Sequence, residues 1–71
     1  MAQHWLEPIS HRTDTYEARL RINGVGYTYV GVSASAYAEF LRLLAHNQGR
    51  ALVYLKRIAT EVERDDEQKP V

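Results

Sequence analysis

The chain contains no cysteine, which excludes a disulfide and a thiolate metal site. Of the usual supports for a small fold, tight packing and self-association then remain. No run of about 18 apolar residues occurs, so no bilayer-spanning helix is expected. The opening residues Met1 to Pro8 lack a basic start followed by an apolar stretch, and the expectation is a protein neither exported nor membrane-bound. Missing thiols also suit a reducing compartment, which makes the expected location cytoplasmic. Histidine is scarce too. His4, His11 and His46 stand apart without a pair at helical spacing, so no metal and no cofactor are expected.

A catalytic constellation is equally hard to find. Ser33 and Ser35 sit where a helix should begin, the usual place for a capping hydroxyl, and no glycine-flanked elbow surrounds them. Asp65, Asp66 and Glu67 fall in a polar terminal stretch that offers no burial to hold or perturb a carboxylate pair. Gly24 and Gly26 form a Gly-x-Gly, but within a hairpin pattern rather than at a strand-to-helix turn, and no phosphate cradle follows. The chain is therefore not expected to be an enzyme.

What is present is a fold signal. The chain has 71 residues, enough for one core, and 45% of them are apolar. From Thr15 to Ile22 apolar residues take the even positions and charged ones the odd, the period of a strand with one wet face. Asn23-Gly24 follows, the pair best suited to two positive φ angles, and Val25 to Val32 then reads as a second strand. A two-residue turn pairs Ile22 with Val25, Leu20 with Tyr27, Ala18 with Tyr29 and Tyr16 with Gly31. Glu17, Arg19, Arg21, Thr28 and Val30 then share the wet face, while Tyr27 and Tyr29 point into the core.

Ser33 is the expected cap of a first helix, with Tyr37, Phe40, Leu41, Leu44 and Ala45 as its buried stripe. It should end around His46-Asn47-Gln48, with Gly49 in a left-handed position just past the end. Leu52, Leu55, Ile58, Ala59 and Val62 keep helical spacing and suggest a second amphipathic helix. The fold class is thus α+β, a hairpin followed by two helices (ββαα); ββαβ is the alternative, because Leu52 to Leu55 and Ile58 to Thr60 also suit a strand. Pro8 allows residues 4–12 to be an edge strand or an extended arm, docked through Trp5, Leu6 and Ile9. Residues 1–63 read as a single domain and 64–71 as an acidic flexible tail.

Zero net charge conceals an uneven distribution. Up to residue 60, Arg12, Arg19, Arg21, Arg42, Arg50, Lys56 and Arg57 exceed Glu7, Asp14, Glu17 and Glu39 by three; beyond it the balance reverses by the same amount. Arginine suits bidentate contacts with carboxylate or phosphate. Two small basic patches are candidates for binding, Arg19 and Arg21 with Thr28 and Val30 on the hairpin, and Arg50, Lys56 and Arg57 on the second helix. The bland reading of both is an ordinary solvated surface. Trp5 and Val30 lack an assured partner within the chain and are candidates for a homodimer contact.

The segment Val25-Gly26-Tyr27-Thr28-Tyr29-Val30-Gly31-Val32-Ser33, Tyr37 in the helix, and Gly49-Arg50 leading into the last segment resemble the KTSC domain, a family found at the C-terminus of some lysyl-tRNA synthetases. The resemblance covers residues 9–58. It departs at the turn, where His46-Asn47-Gln48-Gly49 lacks the family's serine. It implies a small binding domain with nucleic-acid contact. The residues themselves favour a non-catalytic protein-interaction module, a regulator, adaptor or inhibitor that binds another macromolecule. Nucleic-acid binding through Arg19, Arg21, Arg50 and Arg57 is the alternative.

Overall fold

The computed structural model describes residues 4–65. Chain order is β1 (Leu6–Arg12), β2 (Glu17–Ile22), β3 (Val25–Val30), α1 (Ala34–Leu44), α2 (Gln48–Ile58) and β4 (Glu61–Arg64). The strands form one antiparallel sheet in the order β1-β2-β3-β4, an α+β architecture with both helices inserted before the last strand. Overall extents of 38 × 36 × 18 Å leave room in the thin direction for one sheet and one helical layer.

The hairpin follows directly from its residues. Asn23 (φ 51°) and Gly24 (φ 83°) both occupy the left-handed region, and Ile22, Leu20 and Ala18 pair with Val25, Tyr27 and Tyr29. Ala18, Leu20 and Tyr29 are buried with Leu6, Val32, Phe40, Ala51 and Leu55, so the core lies between the inner face of the sheet and the helices. Of residues 4–12, Leu6–Arg12 form an edge strand rather than an arm, and His4 and Trp5 lie outside it. Pro8 sits on this edge strand, and a register shift between Pro8 and Ser10 leaves Ile9 as a bulge, half-exposed. Trp5 packs against the core and its carbonyl accepts the Asn23 N–H at 2.7 Å.

Helix boundaries differ from the sequence expectation in three ways. Ser33 caps α1 as expected, its Oγ accepting the Ala36 N–H at 3.1 Å. The helix nevertheless stops at Leu44, and the Leu43 carbonyl takes the amides of both His46 and Asn47 (2.9 and 2.8 Å). Asn47 then starts α2 as its N-cap, accepting the Arg50 N–H at 3.0 Å, which puts Gly49 inside the first turn of α2 instead of past the end of α1. Asparagine is among the strongest N-caps, and here that outweighs the left-handed preference of glycine. Second, Leu41 and Ala45 are exposed, and Ala36 and Leu43 pack on the core in their place.

Third, Val62 does not continue α2. Ala59 turns extended (ψ 139°), Thr60 donates its N–H to the Val30 carbonyl at 2.8 Å, and Glu61–Arg64 pairs along β3. A helix running on would leave the outer edge of β3 without partners for its backbone groups. Gly31 makes this crossing possible: it has φ 92°, and a Cβ there would stand 2.9 Å from Thr60 Oγ1 and 3.1 Å from Thr60 N. Of the stretch assigned to an acidic tail, Arg64 ends β4 and the Asp65 N–H bonds the Gly26 carbonyl at 2.8 Å; residues 66–71 lie outside the described residues. Among the described residues no helix is long and apolar enough to cross a membrane.

Candidate functional site

The side chains with the richest chemistry are engaged in holding the fold. His11, on β1, donates from Nε2 to the Val32 carbonyl at 2.7 Å and stacks on Tyr37 with ring centroids 4.6 Å apart, tying the edge strand to the start of the helical layer. Ser33 is occupied as a helix cap. Tyr29 is buried under the helices rather than offered as a stacking platform, and burial, helped by repulsion from Tyr27, raises its pKa above the ordinary value of 10.0. Tyr37 is raised by burial as well. Among the described residues no three His, Asp or Glu side chains group as metal ligands.

The open face of the sheet gathers Arg19, Arg21, Thr28 and Val30, as the hairpin register requires. Neighbouring strands change what that face is. Arg19 Nη2 lies 3.0 Å from Asp65 Oδ2, Arg21 lies 3.6 Å from Glu7 on β1, and Arg12 lies 3.7 Å from Asp14. Register also brings Glu61 opposite Val30 and Glu63 opposite Thr28, and adds Glu17 opposite Arg12. Directly opposed residues project to the same side. The surface is therefore a mixed, slightly acidic lattice and not a basic patch. Three of its acids, Glu61, Glu63 and Asp65, come from residues after α2, which explains why hairpin sequence alone overstates its positive charge.

The second cluster behaves differently. Arg50, Val53, Tyr54 and Arg57 on α2 line a groove of about 420 Å³ with Leu43 of α1 and Gly49. Lys56 is exposed on the same helix but does not line it. Ordinary helical spacing produces the site: Ala51 and Leu55 turn into the core, so residues 50, 53, 54 and 57 fall on an outward face. Val53 is 56% exposed, more than any other large aliphatic side chain described. Arg42 is held by Glu39 of the same helix, its Nε donating at 3.0 Å, which lowers the Glu39 pKa and raises that of Arg42. Arg50, Lys56 and Arg57 form no ion pair among the described residues, in contrast to Arg12, Arg19, Arg21 and Arg42.

A further groove of about 470 Å³ lies where α1 meets β1, lined by Leu6, Pro8, Leu41, Leu44 and Ala45 together with His4 and Glu7. Trp5 lines neither groove, because it is spent on the core. Sequence reading found the arginines of the α2 groove but not its apolar floor, although the positions of Val53 and Tyr54 between Arg50 and Arg57 carry the signal. No family model matches this chain, and neither a curated protein nor a solved structure does.

Proposed function

We propose that this chain is a non-catalytic binding module, a regulator, adaptor or inhibitor that acts by occupying another protein. The observation that supports this most directly is the α2 groove, where Leu43, Val53 and Tyr54 make an apolar floor and Arg50 and Arg57 stand beside it with no acidic partner among the described residues. Apolar floor with a charged rim is the usual anatomy of a protein-binding patch. A cytoplasmic setting, suggested by the lack of cysteine, belongs to the same reading.

The test compares the two arginine-bearing faces. Immobilised wild type, Arg50→Glu/Arg57→Glu and Arg19→Glu/Arg21→Glu are used to capture proteins from a host lysate. A specific partner kept by the sheet-face variant and lost by the α2 variant is the expected result. Partner loss confined to the sheet-face variant would move the site, and turnover by the purified protein that disappears with one polar substitution would replace the reading altogether.

A KTSC-like nucleic-acid-binding domain is the second reading, and the strip Arg50, Lys56 and Arg57, which forms no ion pair among the described residues, favours it. Phosphate contacts weaken as salt rises. RNA or DNA binding in the micromolar range with a steep salt slope supports this alternative, whereas salt-insensitive or undetectable binding removes it.

A further inference from the structure

Resting on the protein-binding reading of the α2 groove, we infer that its occupant is an amphipathic helical segment of a partner protein whose apolar stripe is bracketed by two carboxylates two turns apart. Arg50 and Arg57 are seven residues apart on α2, which separates their backbones by about 10 Å along the helix axis. Two acids seven residues apart on a partner helix span the same distance, and residues three and four positions after the first acid lie between them on the same face. Those two positions meet Val53, Tyr54 and Leu43. Five of the six residues lining the groove belong to α2 and Leu43 comes from the end of α1, so the outward ridge of α2 with the adjoining end of α1 is a surface on which another helix can pack.

Charge complementarity selects the acidic partner. Elsewhere on the surface Arg12, Arg19, Arg21 and Arg42 are each satisfied by an acid of this chain, whereas the two arginines at the groove meet none among the described residues. Nucleic acid fits the floor less well. Its bases need exposed aromatic faces, and of the groove's lining only Tyr54 is aromatic and it is partly buried against the core.

The inference is tested with two labelled helical peptides of about 18 residues on an Ala/Gln background. One presents Glu at two positions seven apart with Leu at the third and fourth positions after the first Glu; the other carries Lys in place of both Glu. Fluorescence anisotropy should show wild type binding the Glu peptide roughly tenfold or more tightly than the Lys peptide, with the order reversed for Arg50→Glu/Arg57→Glu. Val53→Asp should lose both peptides while keeping the wild-type melting temperature, since Val53 is 56% exposed. Amide shifts on adding the Glu peptide should centre on residues 43–57. Equal affinities for the two peptides, an order unchanged by the double reversal, or shifts centred on the sheet would overturn the inference. So would an oligouridylate that displaces the Glu peptide and binds more tightly through the same residues. Should both peptides fail while lysate capture still depends on Arg50 and Arg57, the partner chemistry is wrong and the module reading stands.

Discussion

On the open face of the sheet each of the three arginines has an acid beside it, whereas Arg50 and Arg57 on α2 have none among the described residues. Both sets are exposed and both lie on regular elements. The difference is the company supplied by the fold: β1 and β4 flank the hairpin and bring Glu7 and Asp65 to its arginines, while the outward side of α2 faces solvent. Arginine count is thus a poor guide to where a small protein binds. The cations left over after internal pairing, next to exposed apolar area, are the better one.

The comparison can be broken at the junction that creates it. Gly31→Val places a β-branched residue at φ 92° and drives its Cβ into Thr60, so the crossing from α2 to β4 must shift. A loss of about 3 kcal/mol is expected, from backbone strain and overpacking together. Chemical denaturation measures it, and a wild-type midpoint would mean that Thr60 yields without disturbing β4. Gly24→Val strains the turn but meets nothing within 4 Å of its Cβ, so strain acts there alone. Its cost should be about 2 kcal/mol, less than that of Gly31→Val; the reverse order would show that close contact at Thr60 is not what constrains the junction.

Alkaline pH separates the interior from both faces, because arginine stays charged throughout. Tyr29 and Tyr37 have folded-state pKa values raised above 10.0, chiefly by burial. In the unfolded chain they lose their protons first, so their contribution to stability is complete below the unfolded value and is lost as pH rises above it. Melting temperature should therefore fall as pH rises beyond about 10, and Tyr29→Phe should flatten that decline. A decline of equal steepness in the variant would assign it to other groups.

The smallest effects concern the two faces themselves. Arg19→Ala removes an exposed ion pair with Asp65 and should cost no more than about 1 kcal/mol, shrinking in high salt. Arg57 forms no ion pair among the described residues, so Arg57→Ala should leave stability within about 0.5 kcal/mol of wild type. Thermal melts of both at low and high salt sharpen the contrast, and an Arg57→Ala variant less stable than Arg19→Ala would contradict the pairing pattern.

Much of this architecture was legible because it is local. Alternation from Thr15 to Ile22 and the Asn23-Gly24 pair together specify the hairpin and its register, since a two-residue turn with two positive φ angles allows only one pairing. Ser33 and the spacing of Phe40 and Leu55 likewise give a capped helix and two buried positions from chemistry within a few residues. β4 was not legible. Glu61-Val62-Glu63-Arg64 continues a helical period as well as it alternates, and four residues carry too little propensity to decide between them.

Tertiary structure made that decision, because the free edge of β3 offers Val62 and its neighbours backbone partners that an extended α2 would forgo. The same step decided the surface. Sequence by itself determined which arginines stand on the hairpin and which on α2, through periods of two and 3.6 residues. Only the folded sheet, by placing Asp65 46 residues away in sequence within 3.0 Å of Arg19, decided which of them are paired. Such pairing depends on distances between strands that no local pattern encodes.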